Sequence, residues 1–244
     1  MEPNGLPGLP VKIALMQPYF LPYLGYFQLI SAVDQFVVYD TIQFTKKGWI
    51  NRNQFLLNGA AATFSIPIKK ASDYLDVADR YLAEDFDPTK TKNQIAGAYR
   101  KAPHFSEILP LIERILQYRS TNLFDFILYS LCQCCDYLGI TTPIIASSLI
   151  ESDGQRLQGQ ARVIEICKKL NGGVYINPPG GRALYAADDF DSQGLKLQFI
   201  RPRLRSYQQL GAEFVSSLSI LDVLMFNSLD HIKGTLLRDF DLVD

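Results

Sequence analysis

The sequence predicts an α/β fold, in which a parallel or mixed sheet is flanked by helices and carries an inserted β-hairpin. Short apolar runs typical of buried strands alternate along the chain with segments of helical periodicity. An Asn-Gly pair at 58–59 separates two further strand-like runs, which is the usual signature of a hairpin. With 244 residues, of which 48% are hydrophobic and 20% charged, the chain can bury a sizeable core and is excluded from the disordered class.

The first unit is a strand, a loop, a helix and a second strand. The apolar run 11–16 predicts a buried strand, and the two prolines of residues 17–23 end it in a loop. Apolar residues at helical spacing predict a helix over 24–33, and residues 35–39 are again strand-like. Ligands bind at the carboxyl ends of parallel strands, so we expect the 17–23 loop and Asp40 to be neighbours at a binding site.

The remaining elements continue this alternation and indicate a Rossmann-like arrangement. The patterns predict a hairpin of strands 49–57 and 61–66, helices over 90–102, 108–118 and 122–138, a strand at 144–146, a helix over 157–170, a strand at 174–176, a turn at 177–182, a strand at 195–200 and a helix over 218–226. Residues 1–10, with three prolines and two glycines, are interpreted as a flexible leader, and residues 11–244 as a single domain.

Charge and hydropathy exclude several classes of partner. Twenty-four basic and twenty-five acidic residues leave a net charge of −1, so no basic field is available to bind nucleic acid. No apolar run reaches the roughly 18 residues of a membrane helix, and the chain starts without the pattern of a signal peptide, so we expect no integral membrane segment and a cytoplasmic location.

The cysteines do not form a convincing metal site. Cys132 and Cys135 share a helix face, but Cys134 lies on another, and the chain has two histidines to complete a set of four ligands. We interpret Cys167 and the other three as reduced thiols and expect no metal. No cofactor is required by the sequence, which leaves ATP or an acyl or aminoacyl donor as options.

The loop after the first strand resembles, in spacing, the corresponding loop of nucleotidyltransferase-like α/β enzymes. Where those enzymes have Pro-x-His-x-Gly-His, this chain has Pro22-Tyr23-Leu24-Gly25-Tyr26. Tyrosine hydroxyls are weaker, neutral donors than the histidines that contact nucleotide phosphates. Tyr19, Tyr23 and Tyr26, which follow Gln17, either plug the edge of the sheet or stack on a ligand.

Two polar groups elsewhere could bind a ligand. On a strand, Trp49, Asn51 and Asn53 share one side and Arg52 lies on the other, an arrangement that suits sugar or base recognition but also an ordinary edge strand. The turn that begins at Asn177 and ends at Arg182 could present a guanidinium to an anion, or be a plain turn.

Two carboxylates are candidates for a catalytic base. Asp40 ends the second predicted strand, where the fold places ligands. Asp222 lies within an apolar helix, where a carboxylate needs a partner, which Arg52, Arg182 or Tyr207 could supply. A structural ion pair or helix cap explains Asp222 equally well.

Taken together, these segments resemble the WbqC family of bacterial polysaccharide-biosynthesis proteins. The matching motifs are Gln17-Pro18-Tyr19-Phe20, Pro22-Tyr23-Leu24-Gly25-Tyr26-Phe27, Asp34 to Asp40 with Phe44, Trp49-Ile50-Asn51-Arg52-Asn53, Tyr99-Arg100-Lys101-Ala102-Pro103, Leu157-Gln158-Gly159-Gln160 with Arg162, Tyr175-Ile176-Asn177, Gly180-Gly181, Tyr207 with Gln209, and Leu218-Ser219-Ile220-Leu221-Asp222 to Phe226-Asn227.

The resemblance implies a role in making O-antigen or a similar surface glycan. It implies transfer of an amino acid, usually glycine, to the 4-amino group of a dideoxy sugar, which is expected as a nucleotide-linked small molecule. We therefore consider an N-acyl or aminoacyl transferase, with Asp40 or Asp222 as the base. The alternatives are a non-catalytic carbohydrate- or nucleotide-sugar-binding accessory protein and a degenerate nucleotidyltransferase-like enzyme; the oligomeric state is left open.

Overall fold

The computed structural model describes residues 9–150, 157–211 and 213–244, so most of the predicted leader at 1–10 lies outside the described residues. The strands are β1 (Val11–Met16), β2 (Gln35–Val38), β3 (Arg52–Leu57), β4 (Ala60–Ser65), β5 (Ile144–Ala146), β6 (Gly172–Asn177), β7 (Lys196–Pro202) and β8 (Phe240–Val243). The α-helices are α1 (Leu24–Ser31), α2 (Pro88–Tyr99), α3 (Phe105–Leu116), α4 (Leu123–Leu138), α5 (Gly159–Lys169), α6 (Ala187–Asp191), α7 (Ile220–Phe226) and α8 (Leu229–Gly234).

Six strands form a mixed sheet in the order β5-β2-β1-β6-β7-β8, in which β8 is antiparallel to β7 and the other neighbours are parallel. Numbered along the chain within this sheet, the order is 3-2-1-4-5-6, which is that of the doubly wound dinucleotide-binding fold. The order reverses between β1 and β6. The fold rule therefore places a ligand crevice at the carboxyl ends of these two strands.

The sheet is the middle layer of three, as expected for an α/β protein. Ile13 and Leu15 of β1 pack with α5 and α6 on one face, whereas Ala14 between them packs with α1 and α4 on the other. The side chains of Ile13 and Leu15 pack on the face opposite to that of Ala14 because successive strand residues point to opposite faces of the sheet. The prediction of an α/β fold is confirmed.

The hairpin β3–β4 forms a separate antiparallel sheet, and its predicted Asn-Gly turn is confirmed. Asn58 and Gly59 both have positive φ, of 51° and 79°, as the tight turn requires. The predicted start of this strand at residue 49 is wrong, because Trp49 and Asn51 lie in the bend that precedes Arg52. The bend is held by the Arg52 guanidinium, which donates to the carbonyl oxygens of Lys47 and Gly48.

The helix ends follow from local chemistry. Asn122 caps α4 by accepting a hydrogen bond from Asp125 N at 3.1 Å, and Gly139 ends it with φ 68°, as its sequence predicts. Ser219 caps α7 by accepting a hydrogen bond from Leu221 N at 3.3 Å. Helix α8 and strand β8 are additions to the predicted elements.

Candidate functional site

The loop after β1 has a strained backbone held by two distant side chains. Leu21 is buried and has φ 45°, a left-handed conformation that costs a branched residue free energy. Its carbonyl oxygen accepts hydrogen bonds from Asn53 Nδ2 and from Ser219 Oγ, the latter at 2.8 Å. Strain of this kind is commonly found at functional sites, so the contacts define a rigid loop at the carboxyl end of β1.

Aromatic rings and a guanidinium surround this loop. Tyr19 donates to Asn53 Oδ1 at 3.1 Å, and its ring centroid lies 6.3 Å from those of both Tyr26 and Trp49. The Arg52 guanidinium lies 5.0 Å from the centroid of the Trp49 ring, which is 38% exposed. Part of the Trp49 ring is therefore open to solvent, and an exposed aromatic ring can stack on a sugar or a base.

Tyr23 and Tyr26 have different surroundings although both follow the same loop. Tyr26 is buried and donates to the Gln17 carbonyl oxygen at 2.9 Å, which makes it part of the core. The Tyr23 ring lies against Gly25, where an added Cβ would come within 2.4 Å of it. Burial raises the pKa values of Tyr19 and Tyr23, so both hydroxyls stay neutral donors near neutral pH.

The carboxyl ends of β2 and β5 meet at Asp40. Asp40 Oδ1 accepts hydrogen bonds from Ser147 Oγ at 2.8 Å and from Ser148 N at 2.9 Å. Ser147 Oγ is also 2.9 Å from Thr41 Oγ1. The carboxylate is 4% exposed, and its orientation is fixed by the two donors.

An arginine from α5 reaches this edge of the sheet. The Arg162 guanidinium donates to the Thr41 carbonyl oxygen at 3.2 Å and to the Thr41 hydroxyl. It lies 4.6 Å from the centroid of the Tyr39 ring, in cation–π geometry. Positive charge and an aromatic ring therefore stand next to Asp40.

The two predicted residues of the 177–182 turn separate in the structure. Asn177, at the carboxyl end of β6, is buried, and its Nδ2 lies 2.0 Å from where a Cβ on Gly181 would be. The Arg182 guanidinium donates to the carbonyl oxygen of Asp244. It lies 4.9 Å from the centroid of the Phe199 ring on β7. Asn177 thus lies at the carboxyl end of β6, whereas Arg182 makes a surface contact.

Asp222 is buried and lies at the centre of a hydrogen-bond network. Its Oδ1 accepts from Tyr99 OH at 3.0 Å, and its Oδ2 accepts from Tyr207 OH at 2.7 Å and Gln209 Nε2 at 2.5 Å. Gln209 also holds the Val215 backbone through both its amide atoms. Of the proposed partners, Tyr207 is confirmed, and Arg52 and Arg182 have other contacts.

Burial dominates the electrostatics of this network. It raises the pKa of Asp222, although the hydrogen bonds from Tyr207, Gln209 and Tyr99 act in the opposite direction. It also raises the pKa of Tyr207, as does the Asp222 charge beside it. The network joins α2, α7 and the segment after β7, which is a structural function.

The structure divides the predicted site residues into groups. Gln17, Tyr19, Tyr23, Tyr26, Trp49, Asn51, Arg52 and Asn53 surround the β1 loop; within this group the Asn51 amide donates to the Ile66 carbonyl oxygen at 2.7 Å. Within the described ranges, no hydrogen bond or ion pair joins any two of Asp40, Asp222 and Arg182. The two candidate bases have different hydrogen-bond partners and belong to different networks.

The cysteines behave as core residues. Burial raises the pKa values of Cys134 and Cys167 to about 12, so their thiols are protonated near neutral pH. Among residues 9–150, 157–211 and 213–244, no group of three or more His, Cys, Asp or Glu side chains could hold a metal ion. No helix in these ranges is long and apolar enough to span a bilayer.

Some residues at the carboxyl edge were not singled out individually as site residues. Ser147 follows an apolar run of only three strand residues, and its role depends on Asp40, 107 positions earlier. In the sequence, only the family resemblance draws attention to Arg162. A cavity of about 680 Å³ lies elsewhere, between residues 81–88 and 116–121, and its lining includes none of the predicted site residues.

The strand order and the polar carboxyl edge define a doubly wound α/β protein. The chain belongs to the WbqC-like protein family, whose sequence profile matches residues 17–234 and so includes every predicted site residue. A relative from Mycobacterium tuberculosis, the uncharacterized protein Rv1507c, is 30% identical over 220 residues, which cover 88% of this chain and 93% of the relative.

Proposed function

We propose that the protein is an N-acyl or aminoacyl transferase, of glycyl type, acting on a nucleotide-linked amino sugar in the cytoplasm during surface polysaccharide (O-antigen) biosynthesis. The observation that carries the proposal is Asp40, an oriented carboxylate at the carboxyl edge of a sheet with doubly wound strand order. Arg162 and Trp49 at the same edge supply a positive charge and an exposed ring, which suit a nucleotide diphosphate and a base or sugar.

The proposed reaction needs a base because only a neutral amine attacks an acyl carbon. The amine nitrogen of the sugar forms a bond to the acyl carbon, and the bond from that carbon to the donor's leaving oxygen or sulfur breaks with its electron pair. Asp40 accepts the proton that the amine loses. Ser147 and Ser148 hold the carboxylate through Oδ1 and orient it for this transfer.

The second candidate is a non-catalytic protein that binds a nucleotide sugar for a separate transferase. The separation of Asp40 from Asp222 and Arg182 favours it, because a reaction centre usually gathers several charged groups in one place. This candidate needs the aromatic face of Trp49 and the edge of the sheet but no base.

Ligand binding and mass gain separate the two candidates. The purified protein is screened by thermal shift against nucleotide-diphosphate amino sugars, since a ligand at about 100 times its dissociation constant stabilises the fold by roughly 2.7 kcal/mol. Hits are then incubated with glycine and ATP, or with an acyl-coenzyme A, and analysed by mass spectrometry. We expect a shift and an acyl or glycyl mass gain on the sugar.

The controls make either failure informative. A nucleotide sugar without an amino group should shift the melting temperature but gain no mass. Trp49→Ala should weaken the shift, whereas Tyr118→Ala, which removes a ring of similar exposure, should leave it intact. A shift without mass gain would favour the binding protein, and the absence of any shift would exclude a nucleotide sugar as the ligand.

A further inference from the structure

A buried arginine lies beside the carboxyl end of β2. Arg80 is 3% exposed and follows a short 3-10 helix, Val77–Asp79. The backbone of that helix is bonded to the segment after β2, since Ala78 N donates to the Asp40 carbonyl oxygen at 2.9 Å. The guanidinium is therefore carried by a segment that is bonded directly to the residue proposed as the base.

The protein supplies this guanidinium with few partners. Nη1 donates to the Ser72 carbonyl oxygen at 2.9 Å, and the guanidinium carbon lies 4.7 Å from the Phe44 ring centroid. Nε is buried and has no hydrogen-bond partner. In the part of the chain that the structure describes, no carboxylate forms an ion pair with Arg80, and no acceptor is bonded to its Nη2.

Other arginines in the molecule show how unusual this is. Arg203 and Arg205 are exposed and nevertheless pair with Asp241 and Asp239. Arg80 is buried, where an unpaired charge is far more costly than at the surface. A guanidinium stays charged near neutral pH, so it cannot escape this cost by losing a proton.

The geometry points to Arg80 as the anion-binding residue of a subsite next to Asp40. The unpartnered Nε and Nη2 lie on the same edge of the planar guanidinium, and this edge donates two parallel hydrogen bonds to an oxyanion. Phosphate and carboxylate groups both offer the required pair of oxygens. That the natural anion belongs to the substrate or the acyl donor rests on the proposed function, whereas the subsite itself does not.

The segment that is hydrogen-bonded to the guanidinium lies at the surface of the protein. Ser72, Asp73 and Tyr74 are exposed, and the Ser72 carbonyl oxygen is the acceptor bonded to Arg80. The nearby carboxylate of Asp73 is paired with Lys46 at 2.8 Å, which reduces its repulsion of an incoming anion.

The test measures the response of the melting temperature to simple anions. The full chain, Arg80→Met and Arg80→Lys are titrated with sodium pyrophosphate, sodium phosphate and sodium acetate at constant ionic strength. Arg100→Met is the matched control because Arg100 is an exposed arginine in the helical layer. Stabilisation by either phosphate anion assigns a phosphate subsite, and stabilisation by acetate alone assigns a carboxylate subsite.

We expect saturable stabilisation of the wild-type protein and of Arg100→Met. Arg80→Met should weaken the apparent affinity by about tenfold or more, and Arg80→Lys, which keeps the charge but not the paired edge, should fall between them. Without anion, Arg80→Met should melt at or above the wild-type temperature, because it removes an uncompensated buried charge.

Two results would overturn the inference. One is an equal rise of the melting temperature with anion in Arg80→Met and the wild type. The other is no rise in the wild type together with a lower melting temperature for Arg80→Met, which is the behaviour of an arginine with a purely structural role. Because simple anions replace the substrate and the acyl donor, loss of the subsite and loss of the transfer reaction are measured in separate experiments.

Discussion

The carboxyl end of β2 and the junction of α2 with α7 each hold a buried carboxylate, and the two are bonded differently. Asp40 uses one oxygen, Oδ1, for both of its donors, and among the described residues nothing donates to Oδ2. Asp222 uses both oxygens for three donors. When both hydrogen bonds go to one oxygen, the carboxylate is oriented and its second oxygen can accept a proton. When both oxygens accept hydrogen bonds, the carboxylate serves as a structural acceptor.

Replacing Asp40 by Asn should have the largest effect, and it should fall on the reaction. The rate of transfer should drop by about 10²- to 10⁴-fold, since the amide cannot accept the proton. The amide oxygen can still accept from Ser147 and Ser148, so the free energy of unfolding should change by less than about 1 kcal/mol. The rate is measured by mass spectrometry, and the stability by urea unfolding.

Asp34→Asn is the control for this experiment. Asp34 precedes the same strand at its other end, where it accepts from Lys12 N at 2.7 Å. It should retain full activity. If Asp40→Asn kept more than about half of the wild-type rate, Asp40 could not be the base, because a general base contributes far more than twofold.

Replacing Asp222 by Leu should mainly lower the free energy of unfolding, in contrast to Asp40→Asn, whose effect falls on the rate of transfer. The change leaves the hydroxyls of Tyr99 and Tyr207 without their acceptor, and buried donors without a partner cost about 1–3 kcal/mol each. We expect a loss of about 3 kcal/mol in urea unfolding. Asp136→Leu, at an exposed site on α4, should stay within about 0.5 kcal/mol, and an equally small change for Asp222→Leu would contradict the structural role.

The pH dependence of stability should report the burial of Asp222. Burial raises the pKa of Asp222 above its ordinary value of 3.8, so the folded state holds this proton more tightly than the unfolded chain does. The stability that Asp222 contributes is therefore greatest below the unfolded pKa and falls as the pH rises through the raised pKa. Unfolding free energies of wild type minus Asp222→Asn, measured from about pH 3 to 7, should decrease and then level off.

The smallest expected effect is that of Ser147→Ala. It removes one of the two donors to Asp40 Oδ1 and leaves Ser148 N in place, so the loss should be about 1 kcal/mol of unfolding free energy. Ser148→Ala should change stability less, because Ser148 contributes its backbone rather than its hydroxyl to this contact. Equal losses for the two variants would show that the Ser147 hydroxyl does not hold the carboxylate.

Much of the fold could be predicted because its signals are local. The apolar run of β1 and the Asn58-Gly59 turn depend on neighbouring residues, and both predictions are confirmed. Strand β8 is not predicted because it has only four residues and Asp241 interrupts its apolar residues. Trp49 was assigned to a strand because alternating residues continue into it, but the Arg52 side chain bends the backbone there.

The candidate site was less predictable because its contacts join distant parts of the chain. Asp40 was placed correctly at a strand end by the topology of parallel units, but its partner Ser147 comes from another strand. The buried Asp222 carboxylate accepts a hydrogen bond from Tyr99, which lies 123 positions earlier in the sequence. Arg80 belongs to none of the sequence motifs described above, and its burial is evident only in the structure.

The carbonyl oxygen of Leu21 has a further consequence for how the chain is made. One of its donors, Ser219, comes 198 positions later in the sequence, and the buried Gln28 amide likewise bonds to Leu236 O, 208 positions later. A nascent chain therefore completes the hydrogen bonds of the Leu21 carbonyl oxygen only after residue 219 has left the ribosome. Closing a segment of this length costs chain entropy, and contacts between residues so far apart slow folding.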